Sequence, residues 1–193
     1  DRRGRVCVLT LNRPGALNAF NDALYMALAQ ALRDAAASPD VAVVVITGEG
    51  RAFSAGQDLA ELSDGRSHEQ RQHDGFRPFI RALESFPKPL IAAVNGLGVG
   101  IGMTMLPHCD LVLVSDAARL RAPFAALGLT AEAGSSFLLP QRMGWQAAAH
   151  ALDGEQRGAV AGALDQAVHQ RAHQRREDAE GAGERGEDEG LEV

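Results

Sequence analysis

Lysine is nearly missing from this chain: Lys88 is the single lysine among 19 cationic side chains, and the rest are arginine. Cysteine is almost as rare. Cys7 and Cys109 lie far apart and neither has a C-x-x-C partner, which argues against a disulfide framework and leaves two reduced, buried thiols as the expectation. The six histidines, at positions 68, 73, 108, 150, 169 and 173, form no H-E-x-x-H or comparable set, so no metal is expected. No apolar run approaches the roughly 18 residues of a membrane span, and the opening D-R-R-G is not an apolar signal region; a cytoplasmic protein with no membrane partner is the expectation. A basic excess is absent too. Residues 1–152 hold 14 acidic and 14 basic side chains, so no nucleic-acid partner is expected, and the formal charge of −6 comes from residues 153–193, with 11 acidic and 5 basic. The glycines at 96, 98, 100 and 102 give G-x-G-x-x-G in no frame, and G-x-x-x-x-G-K-[ST] occurs nowhere, which leaves a dinucleotide or P-loop site without support.

What the chain does have is apolar matter and glycine. Its 193 residues, 46% of them hydrophobic, suffice for one proper core. The organising stretch is residues 88–104, KPLIAAVNGLGVGIGMT, where an apolar run suited to a buried strand meets Asn95-Gly96 and glycines then alternate at 96, 98, 100 and 102. This pattern predicts a strand, a tight turn and a helix start. Glycine has no Cβ to keep a ligand or another backbone away, and the first N–H groups of a helix lack intrahelical acceptors and favour negative charge. A close-packing turn and an anion site are both compatible with these residues.

Taken in order, residues 5–11 (RVCVLTL) predict a strand closed by N-R-P-G, and Asn21 predicts the N-cap of a helix reaching about Ala37, with Leu24, Leu28 and Leu32 on one face. The β-branched run at 41–47 (VAVVVIT) predicts a strand covered on both faces. Residues 48–58 (GEGRAFSAGQD) read as a long loop at the end of that strand, a usual place for ligands, before a small helix at DLAELS. A surface helix is expected within 67–86, with Phe79, Leu83 and Phe86 on one face. Residues 111–114 predict a strand and 118–122 a short extended piece, and Pro123 opens a small helix. After the loop GLTAEAG, Ser135 or Ser136 is expected to cap a helix that Pro140 kinks or ends, and 145–152 form a last helix. From 153 onward there is no aromatic residue and too little aliphatic surface to offset the entropy of ordering. The expected organisation is a folded core, 1–152, and an acidic, poorly ordered tail, 153–193.

Four stretches occur in sequence: LNRPGALNAF, TGEGRAFSAGQDL, KPLIAAVNGLGVGIG and CDLVLVSDAARLRAPFAALGLTAEAGSS. Through their order and spacing, residues 4–152 resemble the crotonase (enoyl-CoA hydratase/isomerase) superfamily. The resemblance implies an α/β fold in which ββα units wind into a spiral, an acyl-CoA substrate with no separate cofactor, and homotrimers or hexamers. It also implies that the tail replaces the family's usual C-terminal helices. By the same resemblance, the backbone N–H groups of Gln57 and Ile101 form an oxyanion hole, and Ala16, Leu17, Ser54, Ala55, Asp58, Leu59, Gly100 and Phe124 contact substrate. Asp58 fits the N-cap of the following helix equally well.

The hydratases this chain resembles carry two carboxylates at positions occupied here by Thr104 and Phe124, and neither of these residues can transfer a proton. A carboxylate stands instead at Glu132, where the resemblance places the base of 3-enoyl-CoA to 2-enoyl-CoA isomerases. One base is enough for that reaction, and Phe124 makes the surroundings less hospitable to water. The expectation is an isomerase with Glu132 as proton shuttle. The alternatives are an enoyl-CoA hydratase using Glu132 to activate water, and an inactive remnant or CoA-ester binder.

Overall fold

The computed structural model describes residues 1–62, 75–153 and 155–157. The chain opens with β1 (Arg2–Arg3) and β2 (Val6–Leu11), followed by α1 (Asp22–Ala37). Three strand pairs then repeat one plan: β3 (Val43–Gly48) with β4 (Ala52–Ser54), β5 (Leu90–Val94) with β6 (Leu97–Val99), and β7 (Leu111–Val114) with β8 (Arg119–Arg121). The first strand of each pair joins a five-stranded sheet, ordered β1-β2-β3-β5-β7. The second joins another, ordered β4-β6-β8-β9, where β9 is Glu155–Arg157. Helices follow each pair: α2 (Leu59–Leu62) and α3 (Phe76–Glu84) after β4, α4 (Ile101–Thr104) after β6, and α5 (Phe124–Leu127) after β8. All pairings are parallel except those of β1 and β9. This is the expected spiral of ββα units.

The β-branched run becomes β3, with Val44 and Ile46 fully buried and Ile46 paired between Leu9 and Ala92. Asn21 caps α1, its Oδ1 accepting from the Leu24 N–H at 3.0 Å, and the helix buries Tyr25, Leu28, Ala29, Leu32 and Ala35. The ring of Phe20 stacks on Tyr25 with centroids 4.7 Å apart and lies 5.5 Å from Phe79, so aromatic packing joins α1 to α3.

Two expectations are corrected. Strands β4 and β6 lie where the sequence predicts loop and further turn: Asn95-Gly96 makes the bend after β5, and the chain then extends, with the glycines at 96 and 98 clearing room for neighbouring chain segments. A Cβ on Gly96 would sit 2.2 Å from the Arg51 carbonyl oxygen, and one on Gly98 would sit 2.7 Å from the Leu120 side chain. Their period of two was itself a strand signal. Next, neither serine caps α6 (Ser135–Met143), since Gly134 precedes it in the left-handed region without a side-chain cap. Pro140 does not end that helix either; being sixth in it, it deprives only the Ser136 carbonyl of an i+4 donor. The helix α7 (Trp145–Asp153) is followed by β9, which falls within residues 153–193. The rest of that tail, and residues 67–74 of the expected surface helix, lie outside the described residues. Among the described residues no helix is long and apolar enough to cross a membrane.

Candidate active site

The loop after β4 is pinned to residues 17–20. Ala55 N–H donates to the Leu17 carbonyl, Phe20 N–H to Gly56, and Asp58 N–H to Phe20, at 2.7–2.9 Å. The buried Ser54 hydroxyl donates to the Asn18 carbonyl at 2.9 Å and accepts from the Gly56 N–H at 3.2 Å, so this side chain serves the loop itself. Gln57 Oε1 accepts from the Tyr25 hydroxyl at 2.9 Å. With its side chain so held, the backbone N–H of Gln57 finds no acceptor among the described residues.

A second open donor lies on the loop that abuts this one. Ile101 is the first residue of α4, whose first N–H has no intrahelical acceptor, and it too is without one among the described residues. The two loops abut because only glycine fits between them. Gly56 has φ +94° and a Cβ there would lie 2.7 Å from the Val99 carbonyl oxygen, while one on Gly102 would lie 2.6 Å from that of Ser54. Gly100, at φ +53°, brings its side-chain position within 3.9 Å of Gly56 Cα.

Three residues along α4 from Ile101, a rise of about 4.5 Å, stands Thr104, fully buried. Its hydroxyl completes no hydrogen bond among the described residues. It does approach the Glu132 carboxyl closely enough to favour the ionised form, while burial pushes that carboxyl above the usual carboxylate range and prevails. The Glu132 carbonyl accepts from Ser135 N–H at 2.9 Å and Ser135 Oγ at 2.6 Å. Ala133, next in the chain, has φ +53°, and its carbonyl meets His108 Nε2 at 2.8 Å.

The other expected residues divide. Ala16 ends a 3-10 turn, Pro14–Ala16, and Leu17 follows in the left-handed region at φ 50°. Phe124 is buried at the start of α5, and Leu59 is exposed. Asp58 takes the capping role, with Oδ1 accepting from Ala60 N–H at 3.1 Å and Oδ2 engaged by Arg13 at 2.9 Å. Sequence reasoning missed Asn18, whose buried amide donates to the Glu49 and Ala52 carbonyls at 2.9 and 2.8 Å. An asparagine directly after an A-L turn, tolerant of its φ of 57°, was the available signal. Tyr25 and His108 were missed because their partners stand 32 and 25 residues away. Among the described residues no group of His, Cys, Asp or Glu is placed to hold a metal ion.

Two open backbone donors on abutting loops, one of them on the helix whose Thr104 borders the half-buried Glu132 carboxyl, suit chemistry in which negative charge grows on a carbonyl oxygen as a neighbouring proton moves. The family model described as enoyl-CoA hydratase/isomerase matches residues 1–175. The chain belongs to that family. Similar members of the enoyl-CoA hydratase/isomerase family include the 2,3-dehydroadipyl-CoA hydratase of Escherichia coli, 40% identical over 75% of this chain and 56% of its own length. Enoyl-CoA delta isomerase 2 of the rat is 37% identical over 77% of this chain and 39% of its own. The chain thus spans about half the length of such curated relatives. A solved enoyl-CoA hydratase of Mycobacterium marinum is 52% identical, with a TM-score of 0.75 over 86% of this chain and 80% of that one.

Proposed function

We propose that the protein moves a C=C bond from 3-enoyl-CoA to 2-enoyl-CoA. The observation that carries this reading is the half-buried carboxyl of Glu132, which borders Thr104 on the helix whose first N–H belongs to Ile101. The Glu132 carboxylate takes a proton from the acyl C2. Its bonding pair forms C1=C2 as the thioester oxygen becomes an enolate, which the N–H groups of Gln57 and Ile101 hold. The same carboxyl then returns the proton to C4, the double bond settles between C2 and C3, and nothing is gained or lost. Thr104 and Phe124, in place of a second acid-base pair, favour isomerisation over hydration. Ala16, Leu17, Ala55 and Gly100 contact the CoA portion, and the chain works as a homotrimer or hexamer.

The test is incubation of the purified chain with a 3-enoyl-CoA and, separately, a 2-enoyl-CoA, followed by chromatography and mass analysis. Isomerase predicts conversion of the first with no change in mass. A gain of one water by the second makes the protein a hydratase, with Glu132 activating the water. No change in either, while a full-length relative works in parallel, leaves a CoA-ester binder.

A further inference from the structure

We propose that His108 is a positioning residue that sets the distance between Glu132 and the oxyanion-binding helix; this rests on the reading of Glu132 as the proton shuttle. His108 is 4% exposed, at the end of the 3-10 turn Leu106–His108 that follows α4 almost directly. Its Nε2 stands 2.8 Å from the Ala133 carbonyl, in a buried bond across 25 residues. A carbonyl only accepts, so Nε2 carries a hydrogen in this bond. The bond therefore joins the segment bearing Ile101 and Thr104 to the residue after Glu132.

The position needs such a restraint. Ala133 occupies the left-handed region at φ +53°, which a residue with a Cβ holds only when its surroundings impose it. Ser135 secures the Glu132 carbonyl, but that contact is local and says nothing about distance to α4. His108 supplies the cross-link between elements. Its own turn is braced in the same sense, because the Arg142 guanidinium donates to the Pro107 carbonyl at 2.8 Å and so ties the turn to α6, which begins just after the Glu132 loop. Proton transfer falls steeply with misplacement of the base, which makes this link matter to rate rather than to binding.

The decisive pair is His108→Gln and His108→Asn. The glutamine amide reaches as far as Nε2, whereas the asparagine amide stops short. His108→Asn is expected to lose roughly 10- to 100-fold in kcat, with KM, binding of a saturated acyl-CoA and a cooperative melt little changed, and His108→Gln is expected to restore most of the rate. In a Glu132→Gln background neither substitution should matter further. Equal rates for the two amide variants, or equal losses, overturn the role of His108; a fully active Glu132→Gln instead overturns the reading of Glu132. His108→Leu replaces the asparagine variant if that one does not fold. Independently of turnover, 15N spectra of the unsubstituted chain should show His108 with a slowly exchanging proton on Nε2, and an Nε2 without a hydrogen overturns the proposal.

Discussion

In the proposed reaction Glu132 is under opposed demands, since a base must be ionised while burial favours the neutral form. As the base it acts only when deprotonated, so kcat/KM is expected to fall toward acid with a midpoint above the ordinary carboxylate value. Removing the hydroxyl that favours ionisation, by Thr104→Val, should move that midpoint to higher pH, whereas Thr104→Ser should leave it in place; a pH–rate profile of the three proteins decides. The stability argument has the opposite sign. With its pKa raised in the folded state, Glu132 binds its proton more tightly folded than unfolded, so stability declines as pH rises from the unfolded value through the folded one. Glu132→Gln should therefore melt higher than the parent at neutral pH, and the gap should close on acidification. Its turnover should drop roughly 10²- to 10⁴-fold, with CoA-ester binding nearly unchanged by calorimetry.

At the scale of elements, the site depends on loops that touch through glycine. Gly56→Ala forces a Cβ to 2.7 Å from the Val99 carbonyl at φ +94°. It should cost about 1–3 kcal/mol of stability and displace the Gln57 donor, whose loss is expected to lower kcat roughly 10²- to 10³-fold. Chemical denaturation and steady-state kinetics would separate the two effects. Asn21→Ala provides the contrast, because this cap supports α1 without facing the reacting atoms. It should cost about 1 kcal/mol, seen in the denaturation midpoint, with the rate kept. The cap, the β-branched strand and the amphipathic faces of α1 and α3 were legible in the residues because each rests on local spacing. Strands β4 and β6, three residues each, were not, since a strand that short owes its existence to the neighbour it pairs with.

Across the whole molecule, large apolar side chains remain open to solvent around the last helices: Leu127, Leu129, Phe137 at 66% and Trp145 at 75% exposure. The homo-oligomer proposed above would cover such side chains, and sedimentation is expected to find a trimer that Phe137→Ser with Trp145→Ser weakens toward monomer; a monodisperse unsubstituted monomer contradicts it. The amino-acid sequence by itself determined the Asn21 cap, the β-branched strand and the apolar faces, because spacing is a property of neighbours along the chain, and the order of its four motifs carried the family resemblance, which implied the spiral fold and pointed to Glu132. Only the tertiary structure decided that Asp58 is taken up by Arg13, that Thr104 borders Glu132, and that His108 ties the Glu132 loop to the segment after α4. Those partners stand 45, 28 and 25 residues apart, and contacts at that range are set by how the ββα units stack, for which no local spacing leaves a trace.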